Sequence, residues 1–247
     1  MRYFLELAYS GTAYHGWQKQ PNAVSVQEKI EKVLSRLLQK NIEIVGAGRT
    51  DAGVHAKQLF AHFDTEVSIG EEEMLYKMNS MLPGDIAINR IFRVKAEVHA
   101  RFDALSRSYE YWITQQKDPF LINQAWYLKQ ELDVEKMNEA AQILKNYRNF
   151  KCFSKSRTDV KTYNCTIESA EWKKTGELLV FHITADRFLR NMVRAIVGTL
   201  LEIGQGKISV ENLHEIIASE DRGMAGASVP AQGLFLTRIK YPKIEVD

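Results

Sequence analysis

The stretch Gly46-Ala47-Gly48-Arg49-Thr50-Asp51-Ala52-Gly53-Val54-His55-Ala56 restricts the fold of this chain more than any other. It follows the apolar run 42–45 and precedes the alternating run 58–64, so it reads as an irregular loop between two strands. Its three glycines and three alanines let the backbone turn sharply and let a flat ligand come close. Inside that small frame Arg49, Thr50 and Asp51 place a guanidinium, a hydroxyl and a carboxylate on consecutive residues. Gly, Asp and Thr also build ordinary turns, so composition alone supports a turn as well as a site. Two other sites are excluded. A phosphate loop would end in Gly-Lys-Ser/Thr, and a dinucleotide fingerprint needs a small residue where Asp51 stands.

Around this loop the chain alternates short strands and helices. Residues 2–9 alternate as a strand and Gly11 to Gly16 make a turn. Ser25-x-x-Glu28 is a capping box that opens a helix with Val26, Ile30, Val33, Leu34 and Leu37 on one face, ending near Lys40. In the strand 58–64, Leu59, Ala61 and Phe63 share one face and Phe60 and His62 the other. A helix over 71–81 stops before Pro83-Gly84, and 86–94 is a further strand. Strand 106–115 sets Arg107, Tyr109 and Tyr111 on one face, either to meet bases and phosphates or as the aromatic cover of a core. A helix at 133–145 precedes strands 165–173 and 177–186, joined as a hairpin at Gly176. The next helix, starting near Arg187, is apolar almost all round, with Arg187, Arg190 and Arg194 on its remaining face. Such a stripe calls for anions, either Asp51 and RNA phosphate or structural carboxylates. A helix at 209–218 and a strand at 233–241 close the chain.

No Gly/Ser-rich linker interrupts the pattern, so any two halves share a sheet or a close interface. The expectation is an α+β protein of two halves whose antiparallel sheets join side by side around a basic central cleft. Residues 1–105 would carry the Asp51 loop, and 106–247 the Tyr109 strand and the arginine helix.

Composition matters mostly for what it excludes. At 247 residues and a net charge of +2 the chain has neither a long apolar run nor a basic-then-apolar leader, so no membrane span or secretion signal is expected and a cytoplasmic address follows. Cys152 and Cys165 lack the paired spacing of a zinc site and read as reduced thiols. His15, His55 and His62, tested with Asp51 as metal ligands, show no helical i, i+4 pair. Basic residues gather at 90–107 and again at 145–161, where Lys145, Arg148, Lys151, Lys155, Arg157 and Lys161 face only Asp159. Such runs are either solvated faces or phosphate contacts. Trp17, beside Gln18 and Gln20, either stacks on a base or caps a core.

Several of these stretches are recognisable. Gly48 to Ala56 resembles the signature of the TruA family of tRNA pseudouridine synthases. Tyr9-Ser10-Gly11-Thr12-x-Tyr14-x-Gly16-Trp17-Gln18-x-Gln20 resembles that family's opening. Ala100-Arg101-Phe102-Asp103-Ala104 and Arg107-Ser108-Tyr109-Glu110-Tyr111 resemble its middle, and Phe188 to Arg194 with Ile196-Val197-Gly198 its late helix. The resemblance implies two ferredoxin-like halves sharing a sheet, a homodimer on which each tRNA contacts both subunits, and isomerisation of uridine in the anticodon stem-loop at positions 38, 39 and 40. It also implies that Asp51 is the nucleophile and Tyr109 the active-site tyrosine, with no cofactor and no metal. From the residues, Arg49 is placed to reach RNA, Arg194 to pair with Asp51, and Arg190 to meet phosphate or a structural carboxylate. With Trp17, the basic segments would hold the body of the tRNA. A non-catalytic RNA-binding module and a metal-assisted hydrolase are the rival readings. The first has no need of Asp51, and the second is disfavoured by ligand spacing.

Overall fold

Strand β1 (Arg2–Tyr9) forms early in the chain because its apolar residues alternate with few interruptions, and it ends up between two partners. It pairs antiparallel with β3 (His55–Asp64) on one side and β4 (Ile86–Val94) on the other. The short β2 (Val45–Gly46) pairs with β3 next to the glycine-rich loop. Helix α1 (Val26–Leu38) lies between β1 and β2 in sequence, and α2 (Glu71–Met81) between β3 and β4. The structure, a computed structural model, describes residues 1–155 and 160–243. They divide into two units, Met1–Leu105 with Phe235 onward, and Ser106–Leu234.

The start and stop of α1 follow from its ends. The Ser25 hydroxyl accepts the Glu28 N–H at 3.3 Å, while the Glu28 carboxylate turns to Lys32 at 2.5 Å, so the serine half of the expected capping box is the half that forms. Gln39 terminates the helix in a left-handed conformation. Both faces of the β1–β3 pair are covered. Tyr3 stacks on Phe63 at 5.7 Å, and its hydroxyl accepts the Ile69 N–H on the approach to α2. On the opposite face Phe4 meets Phe60, His62, Phe92 and Tyr241 at 5.7–6.5 Å.

Strand β9 (Leu234–Lys240) joins β3 in parallel through His55↔Phe235 and Ala56↔Leu236. The division of the sequence at 105/106 assigns this strand to the other half. Its alternation reveals a strand but carries no information about a partner so far back in the chain.

In the second unit β5 (Ser106–Thr114) pairs antiparallel with β8 (Leu178–Ala185), and β8 with β7 (Ile167–Thr175). Gly176, at φ +59, makes the β7–β8 turn where the sequence places a hairpin. The two-residue β6 (Trp126–Tyr127) adds to β5 in parallel. Helices α3 (Val134–Ile143), α4 (Met192–Gly204) and α5 (Asn212–Ser219) complete the unit, with α4 buried over most of its length. The architecture is α+β, as expected. A Cβ at Gly198 would overlap the Ala227 carbonyl, and the Gly226 N–H donates to Thr199 Oγ1 at 2.9 Å, so the segment around Ala227 lies directly on α4. Cys152 and Cys165 are buried free thiols, both pushed up to about 12 by burial.

Two expectations are corrected here. Helix α4 begins at Met192, after Asn191 in a left-handed conformation at φ 67, and not near Arg187. Arg187 and Arg190 therefore precede the helix and the arginine stripe does not form; Arg194 alone of the three lies on it. Nor is the segment 145–161 a uniform basic face. Lys151 pairs with Glu220 at 3.2 Å, Lys145 donates to Gln142 at 3.1 Å, and Arg148 donates to Thr166. Arg157 and Asp159 lie outside the described residues.

His62 is 4% exposed, and its Nδ1 accepts the Ala100 N–H at 3.2 Å. Burial, followed by the charge of Arg2, lowers its pKa from 6.5 to about 4. Below pH 6.5 the unfolded chain binds a proton that the folded ring refuses, so this group makes stability fall as pH falls from 6.5 towards 4. The slope is at most about 1.4 kcal/mol per pH unit. Urea midpoints measured across that window should drop for the wild type, and the profile of His62→Asn should be flatter.

Candidate active site

The loop 47–54 owes its shape to a second loop, 10–17, on which it rests backbone to backbone. The Trp17 N–H donates to the Thr50 carbonyl at 3.3 Å, and the Gly53 N–H to the Tyr14 carbonyl at 3.2 Å. Cβ atoms added at Gly11 and Gly16 would overlap the carbonyl oxygens of Val54 and Thr50, and Gly16 is also at φ +92. Only glycine allows main chains to come this close. Side chains lock the seam. The Gly11 N–H donates to His55 Nδ1 at 3.1 Å, and the Tyr9 hydroxyl bonds the Thr50 hydroxyl at 2.8 Å. Because Nδ1 accepts, neutral His55 carries its proton on Nε2. The His55 ring stacks on Phe235 at 4.6 Å, which ties the loop's end to β9. These contacts make His55 a structural residue of the loop.

The turn carrying Asp51 closes on itself through Val54 N–H to Asp51 carbonyl at 3.1 Å. Asp51 is half-buried; Arg49, two residues before it, is exposed. The frame thus sets an exposed arginine two residues from a half-buried aspartate.

Trp17 does not present itself to a base. It is 2% exposed, stacks on Tyr9 at 6.2 Å, and lies over Gly46 so closely that a Cβ there would sit 2.5 Å from the indole nitrogen. The expectation that Trp17 contacts RNA is therefore corrected: it is the core cap under the Asp51 loop. Gly48 differs from Gly46, since a Cβ at Gly48 meets nothing within 4 Å.

The other residues singled out in sequence lie in the second unit. Tyr109, on β5, is half-buried, and its ring meets Phe188 edge to face at 5.1 Å. Tyr111, two residues on, is fully buried and donates its hydroxyl to the Pro230 carbonyl at 2.8 Å. Burial raises its phenol well above the ordinary tyrosine range, against the opposing charge of Arg194. Of the two tyrosines on this face, Tyr111 is core. Arg107 Nη1 donates to the Asp186 carbonyl at 2.9 Å. Arg194 Nε donates to the Val229 carbonyl at 2.7 Å while its own carbonyl accepts the Val229 N–H at 3.3 Å, so the guanidinium is held in one orientation. Arg190 is exposed, and its carbonyl accepts the Lys155 N–H at 3.0 Å.

Sequence reasoning missed the supporting residues Tyr9, Gly11 and Gly16. The signal lay in the opening motif, where glycines and aromatics crowd together at the end of β1 and in the loop that follows it. Among the described residues no group of three His, Cys, Asp or Glu side chains is placed to hold a metal ion. Nor is any helix among them long and apolar enough to cross a membrane.

The chain matches a family model described as tRNA pseudouridine synthase over residues 7–103 and 140–242. A Porphyromonas gingivalis protein named tRNA pseudouridine synthase A is 52% identical over 246 residues, which cover 98% of this chain and 97% of that protein. A Parabacteroides distasonis protein of the same name is 51% identical over 243 residues, with coverage of 98% and 96%. One from Bacillus licheniformis is 37% identical over 245 residues, with coverage of 98% and 99%.

The two glycines that flank Ala47 should respond differently to alanine. Gly46→Ala drives a methyl into the buried Trp17 ring and should cost about 1–3 kcal/mol in urea unfolding. Gly48→Ala should leave the urea midpoint close to that of the wild type.

Proposed function

The chain belongs to the tRNA pseudouridine synthase family, whose members are isomerases acting on tRNA uridine, and from that premise we propose that Asp51 is the carboxylate that carries the reaction. The single observation supporting this is the seam of main chain that fixes the Asp51 turn and leaves the residue half-exposed. Converting uridine to its C-glycoside isomer breaks the N1–C1′ bond and turns the base. C5 is then joined to C1′, the C5 proton is lost and N1 takes up a proton. Atoms and electrons balance within the substrate and solvent, so the reaction calls for neither redox partner nor group donor. It calls for a carboxylate that attacks covalently, at ring C6 or sugar C1′, or that stabilises a cationic sugar. Asp51 fills that role.

Arg194 is our candidate for the cation that accompanies this carboxylate in the reaction. Its fixed orientation against Val229 suits the task, since a guanidinium already held by one bond loses less freedom on making others. Arg49, exposed beside the turn, contacts the RNA backbone and helps hold the target nucleotide out of its stack. Tyr109 stacks on the uracil, its ring braced by Phe188. Arg190 contacts phosphate, in keeping with its exposure.

The substrate region is the anticodon stem-loop at positions 38, 39 and 40, and the working form is a cytoplasmic homodimer with each tRNA touching both subunits. These points rest on the family resemblance of the motifs. Recognition through phosphates and shape is compatible with several neighbouring target positions.

Tritium release from tRNA labelled at C5 of uridine tests the assignment. The wild type should release tritium equally with and without chelator. Asp51→Asn should release none while binding tRNA within about threefold of the wild type, because the substitution is isosteric and removes only a charge. Loss of both activities, or release by Asp51→Asn, would overturn the role given to Asp51.

A further inference from the structure

Phe102 is the exception among the aromatic side chains of the first unit's motifs. It is 76% exposed, whereas Tyr9, Tyr14 and Trp17 are all buried. An exposed phenyl ring is ordinarily free to move, and this one is braced. One face lies on the His99 imidazole at 4.2 Å with the planes 30° apart, and His99 meets buried His62 edge to face at 4.7 Å. The loop beneath is tied down at every residue from 99 to 103. His99 Nδ1 accepts the N–H groups of Arg101 and Phe102 at 3.1 and 3.3 Å, and the His99 N–H donates to Asp103 Oδ2 at 2.7 Å. The Asp103 N–H returns to the His99 carbonyl at 3.2 Å. Ala100 is held on both sides, its N–H by His62 and its carbonyl by the Tyr241 hydroxyl. The guanidinium of the exposed Arg101 lies over the ring, 5.9 Å from its centre.

A ring supported by an imidazole, mostly exposed to solvent and accompanied by a cation is half of a stack. We propose that Phe102 is a stacking platform for an unpaired base of the bound tRNA, with Arg101 contacting the adjoining phosphate. The inference rests on the reading of the chain as a tRNA-modifying enzyme. Single-stranded bases in RNA loops are held in this way by aromatic and guanidinium planes, whichever base is presented. A pre-braced ring loses little conformational freedom on binding. Self-association through the same ring is the competing use, and the bracing and the adjacent Arg101 favour an anionic, flat partner over a second apolar surface.

The test uses full-length protein with Phe102→Ala, Phe102→Leu and Phe102→Trp. It measures tRNA affinity by filter binding, turnover by C5-tritium release at saturating tRNA, and mass by sedimentation. The ring is exposed, so all three variants should fold. Ala and Leu should weaken tRNA binding by roughly 5- to 150-fold, with turnover at saturation within about twofold of the wild type, and Trp should bind as the wild type does or more tightly. Unchanged affinity in Phe102→Ala overturns the platform, as does full rescue by Leu, which would make the contact merely apolar. A shift of Phe102→Ala to lower mass than the wild type also overturns it and assigns the ring to a second copy of the chain. Failure of the wild type to bind tRNA or release tritium would remove the tRNA reading itself, an outcome distinct from failure of the variants alone.

Discussion

The first unit depends on two loops whose main chains touch. Segments 10–17 and 50–54 come within hydrogen-bonding distance only because glycine stands at positions 11 and 16. Everything placed on the second loop inherits that constraint. The Asp51 turn has a fixed direction because its neighbours on both sides are bonded to the first loop, and Thr50 and His55 add side-chain ties at either end. Trp17 closes the arrangement from beneath by filling the space over Gly46. The role proposed for the Asp51 carboxylate calls for this kind of support, because small displacements of a reacting group are costly.

The elements legible in the sequence are those whose pattern is local. β1, α1, α2, β4 and the β7–β8 hairpin all lie close to where alternation, helical spacing and turn residues place them. What the sequence hid depends on distant cover. Trp17 and Tyr111 have the composition of RNA-stacking residues, and nothing beside them in the chain shows that Gly46 underlies the one and that Pro230 and Gly233 enclose the other. The spacing of Arg187, Arg190 and Arg194 matches a helix face, yet Asn191 starts the helix late by adopting a left-handed conformation that asparagine tolerates better than most residues. Asp51 stood out through its frame of small residues and through the motif around it. Its support did not, since Tyr9 and Gly11 bond to residues 41 and 44 positions further on.

The aromatic residues of the motifs thus divide into two kinds. Tyr9, Tyr14, Trp17 and Tyr111 are buried in the fold, whereas Phe102 is exposed and Tyr109 half-exposed, braced by His99 and Phe188 respectively. Bracing an aromatic that solvent can reach confers little stability on the fold itself. It matters when a flat partner arrives, and an enzyme acting on tRNA uridine has such a partner in every unpaired base.

The role proposed for Asp51 depends on the glycine seam that positions its turn. The most direct measurement is the turnover of Gly11→Ala at saturating tRNA, read by C5-tritium release. The added methyl must push the Val54 carbonyl, and with it the Asp51 turn, by about 1 Å, a displacement that costs on the order of 100-fold in rate. A fall of that size in a folded protein that still binds tRNA is the predicted result. Turnover within twofold of the wild type would contradict it, since the carboxylate would then act without the support that the seam provides.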